Sequence, residues 1–200
     1  SPFGSFPEDR RKWLQSQQRK IPGKIADLCR REKCDLMLLS GDLFDGKPSR
    51  ETLELVKKTL GETGVPVMIA PGNHDFCGPG SPWLEESWPK NVFIFKGKLE
   101  SVALPELNCR VYGAGFQSMD CAAVLEGFRA AGEEQFAVGV FHGDPVQRNS
   151  PYNAITNLQV RNSGLDYLAL GHIHKAGAFR SGNTLCAWPG CPMSRGWDET

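Results

Sequence analysis

Four short apolar runs, each closed by residues able to bind a metal ion, constrain this chain more than any feature of its composition. They are LMLLS before Gly41-Asp42, PVMIAP before Gly72-Asn73-His74-Asp75, AVGVF before His142, and YLAL before Gly171-His172-Ile173-His174. Continuous apolar stretches of this length, bounded by turn residues, read as buried strands. In open α/β sheets the carboxyl ends of strands are where sites are assembled, because the loops there converge on one crevice. All four histidines of the chain fall in these strand ends.

The stretches between the runs predict the other elements. Residues 7–33 carry Leu14, Ile21, Ile25 and Leu28 among many charged and amide side chains, which predicts one or two amphipathic helices bent or broken near Pro22-Gly23. Residues 49–60 predict a helix with an apolar face of Leu53, Leu55, Val56 and Leu60. The segments 92–95, 101–104 and 110–115 predict antiparallel strands, residues 120–131 a helix, and residues 184–188 a last strand. Strands alternating with helices around a hairpin-rich middle argue an α/β layered sandwich.

Composition narrows the class. Two hundred residues with 40% hydrophobic side chains suffice for one domain with a real core, expected to span 1–200. The 23 basic and 23 acidic residues cancel, so no overall field draws the chain to nucleic acid. The absence of a long apolar run or a signal-peptide pattern leads us to expect a cytoplasmic protein with no membrane partner. Seven cysteines, an odd number without a CxxC pair, read as reduced core residues.

The donor types define the chemistry. Asp and Asn oxygens with His nitrogens, and no thiolate, suit a hard-to-borderline divalent ion. His172 and His174, two apart on an extended segment, would point the same way with Cα atoms about 6.7 Å apart, as ligands to two ions about 3.5–4 Å apart would. Singly, each strand end has a plainer explanation: a hydrogen-bonded core histidine, an ordinary PGN turn, a Gly-Asp strand terminus. Four such ends at matching positions are not explained that way.

GDLFD at 41–45, GNHD at 72–75, FHGD around His142 and GHIH at 171–174 resemble, in this order, the signature of the calcineurin-like metallophosphoesterases. FHGD, DYLALGHIHK and PGCPMSRGWDET most resemble bacterial DNA-repair exonucleases that partner an SMC-like ATPase. The resemblance implies a four-layer αββα sandwich and a two-metal phosphodiester hydrolysis, with manganese the first expectation and iron or zinc the alternatives. It implies that Asp42 bridges the ions, that Asn73, His142 and His172 complete the second, and that His174 binds the first. Catalytic roles fall to His74, facing the phosphoryl oxygens or the leaving alkoxide, and to Asp75, orienting the His74 ring. DNA and an SMC-like ATPase subunit are the implied partners. The nuclease branch usually has a histidine where this chain has Asp45.

The family's first motif, Asp-x-His, occurs nowhere in these 200 residues. The expectation is therefore a chain truncated at both ends, lacking the first strand and the C-terminal part, with a gap beside residues 35–40. Such a chain would bind the first ion weakly and be an impaired enzyme. Smaller expectations concern Trp83, Trp88 and Tyr152, which could stack on bases although loop aromatics more often pin a loop to the core, and Arg148 and Arg195 as phosphate contacts. Two alternatives stay open beside a nuclease: a phosphatase or small-molecule phosphodiesterase, and a non-catalytic interaction module on the same fold.

Overall fold

Side chains alternate across a strand, and this alternation sorts the apolar residues of the computed structural model, which describes residues 7–193, into three layers of core. In β2 (Val67–Ile69), Val67 and Ile69 face one way and Met68 the other. β1 (Met37–Leu39) and β3 (Val92–Ile94) flank it, both parallel, and Leu38 and Phe93 lie opposite Met68. The outer face of this three-stranded sheet packs on Leu53, Val56 and Leu60 of α2 (Arg50–Gly61) and on Cys29 of α1 (Glu8–Arg31). Its inner face packs Met68, Leu38 and Phe93 against Val111, Val140 and Ala169 of a second sheet.

That second sheet has the order β4 (Glu100–Leu104), β5 (Cys109–Ala114), β6 (Phe136–His142), β7 (Tyr167–Gly171), β9 (Thr184–Trp188), β8 (Gly177–Ser181), parallel inside and antiparallel in its two edge pairs. Tyr112, Phe141, Leu168 and Leu170 on its outer face meet Val160 of α4 (Asn157–Asn162) and Leu125, Ile155 and Leu165. The layers therefore run α, β, β, α. Among the described residues no helix is long and apolar enough to cross a membrane.

Several local expectations are corrected. α1 runs unbroken through Pro22. Proline there removes one N–H donor and costs helix stability, but Ala26 and Cys29 bury the following turns. β3 joins the parallel sheet beside β2 rather than an antiparallel set; only β4 and β5 pair antiparallel in that region. Residues 120–131 form turns, not a helix. Gly127 at φ +68° breaks the helical path, and the Asn153 carboxamide takes the Val124 N–H at 2.8 Å. β8 and the short helix α3 (Pro82–Glu85) were not anticipated.

The two sheets touch where β1 and β7 end. A Cβ on Gly171 would lie 1.9 Å from the Ser40 carbonyl oxygen, so only glycine allows this approach. Gly171→Ala should therefore lower the melting temperature by roughly 4–8 °C, the equivalent of about 2 kcal/mol of overpacking. Gly23→Ala, in the helix with nothing within 4 Å of the added methyl, should be neutral or stabilising by up to ~1 kcal/mol. Thermal denaturation of both variants checks the pair.

Candidate metal centre

His142 ends β6 and is 1% exposed. Its Nδ1 lies 2.8 Å from the Ser40 carbonyl oxygen. A carbonyl only accepts, so Nδ1 carries the proton and Nε2 of the neutral ring presents a lone pair. That Nε2 is 2.8 Å from Asn73 Oδ1 and 3.5 Å from Asp42 Oδ2. Burial holds the imidazole below the usual histidine range, against the opposing pull of the Asp42 carboxylate. Three acceptor atoms thus converge with no proton to share.

A divalent cation fits this donor set: a ring nitrogen, an amide oxygen and a carboxylate oxygen, with the histidine steadied through its other nitrogen by a backbone carbonyl, as metal-bound histidines usually are. Glycines make the close packing possible. A Cβ on Gly72 would fall 2.3 Å from Asp42 Oδ1, and one on Gly41 2.7 Å from His142 Nδ1. Among the described residues no three His, Cys, Asp or Glu side chains are arranged to hold an ion by themselves; the cluster of Asp42, Asn73 and His142 has an amide as its third donor.

The loops are set by backbone conformation and by one buried acid. Asp42 adopts φ +54° directly after Gly41 at +88°, a left-handed pair that turns the chain sharply beyond β1. The Asp75 carboxylate holds this turn against the loop after β2. Oδ1 accepts from Gly72 N at 2.8 Å and Asp42 N at 3.1 Å, while Oδ2 accepts from Leu43 N at 2.8 Å and Phe44 N at 3.2 Å. Burial pushes the Asp75 carboxyl up to about 6, with the backbone donors opposing and the Asp42 charge adding. Trp83, fully buried, tilted against Phe44 and stacked on Trp88, donates its indole N–H to the Asp75 carbonyl.

Asp75 is therefore not the group that orients the His74 ring, contrary to the sequence expectation. Its four acceptor contacts are spent on backbone. The acid beside His74 is Asp45, with Oδ1 3.2 Å from Nδ1, while the His74 N–H donates to Asp42 Oδ1 at 3.0 Å. His74 stands at the rim with its side chain 51% exposed.

The His172 ring packs edge-on to His142 at 5.2 Å between centroids and tilts over Tyr152 at 4.9 Å. Burial lowers its pKa, with the charges of Asp144 and Asp42 opposing and those of His174 and His74 reinforcing. The extended i, i+2 geometry expected of His172 and His174 is not present: His172 has φ +86°, and residues 172, 174 and 175 are bends. His174 lies exposed on that bend, with its carbonyl accepting from Cys191 N at 2.8 Å.

Trp83 is fully buried and stacks on the half-buried Trp88 at 5.0 Å, so Trp83 pins its segment and is no base platform. Tyr152 does border the site. Arg148 is exposed, and Arg195 lies outside the described residues. Sequence reasoning missed Asp144 and Asn153, both buried. Asp144 caps its own turn through Val146 N and Gln147 N, and Asn153 Nδ2 donates to the His142 carbonyl at 2.8 Å. The Asp-Pro of FHGDP was their one visible signal.

The chain is 33% identical over 195 residues to the uncharacterized metallophosphoesterase YhaO of Bacillus subtilis, covering 88% of this chain and 45% of that protein. It is 28% identical over 123 residues to the D subunit of the nuclease SbcCD of Staphylococcus epidermidis, covering 58% and 31%. The chain thus spans less than half the length of these relatives. Its fold is similar to the crystal structure of TT1561 of Thermus thermophilus, with TM-score 0.55, 13% identity and coverage of 86% and 83%. Residues 9–176 match the calcineurin-like phosphoesterase family, and the chain belongs to it.

Proposed function

We propose that this chain is a metal-dependent phosphodiesterase domain acting on DNA ends, with manganese as its ion and an SMC-like ATPase as partner of the whole protein. The observation that carries the metal dependence is the convergence of Asp42 Oδ2, Asn73 Oδ1 and the lone pair of His142 Nε2. Similarity to the nuclease SbcCD supports the choice of DNA. Zero net charge, together with Asp45 at a position where the nuclease branch usually has histidine, favours a second reading as a phosphatase or small-molecule phosphodiesterase.

Asp42, Asn73 and His142 would hold the ion, and His172, whose ring packs edge-on to that of His142, would complete the set. A bound divalent ion supplies Lewis-acid polarisation of a phosphoryl oxygen and a lowered pKa for water. His74, aligned by Asp45 and fixed at its backbone by Asp42, reaches out from the rim and can donate a proton to a phosphoryl oxygen or to the departing alkoxide. Asp75 acts on the chemistry only through the backbone it holds.

Calorimetric titration with Mn²⁺ should show one tight site per chain and a second weak one, because only Asp42 and His174 are assigned to the first ion in these residues. Two tightly held ions would contradict this. Mn²⁺ at about 100 times its dissociation constant should stabilise by about 2.7 kcal/mol, raising the melting temperature by roughly 5–10 °C. EDTA should reverse the rise, and Asp42→Asn should remove most of it.

Hydrolysis separates the roles. His74→Ala should keep the Mn²⁺-dependent thermal shift but cut Mn²⁺-dependent turnover of bis-p-nitrophenyl phosphate about 100-fold or more. Linear duplex DNA, bis-p-nitrophenyl phosphate and cyclic nucleotides compared side by side distinguish the nuclease from the second reading. Asp75→Asn presents an amide donor to backbone N–H groups. It should destabilise by about 2 kcal/mol or more and weaken Mn²⁺ binding, although Asp75 is not assigned to the ion.

A further inference from the structure

The end of α1 places two thiols together away from the metal centre. Lys33 N donates to Arg30 O at 3.2 Å and Cys34 N donates to Cys29 O at 3.0 Å, with Lys33 at φ +53° between them. These are the two hydrogen bonds and the left-handed residue of a Schellman motif. In that motif the side chains joined by the outer bond habitually touch, and here both belong to cysteine. The Cys34 thiol accordingly interacts with that of Cys29. The 6→1 link also keeps the two Cα atoms near the roughly 4.4–6.8 Å that a disulfide spans.

The partners differ in exposure. Cys34 is exposed and Cys29 is buried, and both are free. Burial raises the Cys29 thiol above its ordinary range, with Cys34 adding to the effect. An accessible sulfur beside a sheltered one lets the first meet the oxidant and places the second to resolve it, and the raised Cys29 thiol makes that second step the slower one.

We propose that Cys34 and Cys29 form a reversible, peroxide-driven disulfide that staples the end of α1 to the segment entering β1. The Cys34 sulfur attacks hydrogen peroxide: an S–O bond forms, the O–O bond breaks, and the departing hydroxide takes up the thiol proton as water. The Cys29 sulfur then attacks the Cys34 sulfenic acid: the S–S bond forms, the S–O bond breaks, and the hydroxyl leaves as a second water with the Cys29 proton. Two thiols are oxidised and one peroxide is reduced to two waters. A dithiol reductant restores the pair.

Oxidation of this thiol pair needs nothing from the metal centre and is measured without it. The folded chain is treated with hydrogen peroxide, alkylated, digested with trypsin and analysed by mass. Trypsin cuts after Arg30, Arg31 and Lys33, so a bridged pair survives as one cross-linked peptide that dithiothreitol splits. The expected result is that link as the first cysteine oxidation product. Cys29→Ser should leave Cys34 as a sulfenic acid captured by dimedone, and Cys34→Ser should leave Cys29 unmodified. Sulfenylated Cys34 that never bridges in the unaltered chain, or equal oxidation of Cys29 in the Cys34→Ser chain, overturns the proposal.

Discussion

One buried imidazole joins the two sheets at the point where chemistry is possible. His142 belongs to the six-stranded sheet, yet its Nδ1 is bonded to the Ser40 carbonyl beyond the end of β1 in the other sheet. That bond sets the tautomer, the tautomer aims a lone pair at Asn73 and Asp42, and those oxygens come from the two loops of the first sheet. Gly41, Gly72 and Gly171 surround the ring at distances no side chain would tolerate. The packing of two apolar faces, led by Met68, Val140 and Ala169, therefore determines donor geometry.

A second constraint is electrostatic. Asp75 brings a carboxylate into the interior and spends it on four backbone N–H groups that would otherwise face an apolar core. Burial opposes the charge and the donors favour it. The result is that the Gly41-Asp42 and Gly72-Asn73 turns are locked to each other rather than separately to their strands. The same motif residue that looked like a partner for His74 is thereby a brace, and the exposed Asp45 is left to align the imidazole.

What was legible in the sequence follows from what is local. The strands ending near Asp42, Asn73, His142 and His172 were visible because a buried strand is a run of apolar residues and its end is a turn, and the layered α/β class followed from their order. The parallel placement of β3 was not, since pairing partners are chosen by the whole sheet rather than by residues 92–95. Residues 120–131 looked helical by composition, but Gly127 and the distant Asn153 side chain decide otherwise. The roles of Asp75 and Asp45 depend on hydrogen bonds across some 30 positions, which no spacing rule contains. Trp83 shows the converse: its plainer reading, a loop aromatic pinned to the core, is the structural one.

Part of the backbone strain lies in the same place. Asp42 and His172 both adopt positive φ, each just past the end of a strand, and the two strands lie against each other. A non-glycine residue in this region costs of order 1–3 kcal/mol and persists only where its surroundings over-determine it. Asp42 is over-determined by Asp75 at its N–H and by the His74 N–H at its carboxylate. His172 is held between His142 and Tyr152. Relaxing Asp42 toward ordinary dihedrals would swing its carboxylate away from His142 Nε2. The strain at Asp42 is thus the local cost of aiming a carboxylate carried by one sheet at the His142 imidazole of the other, and the sheet-to-sheet core is what sustains it.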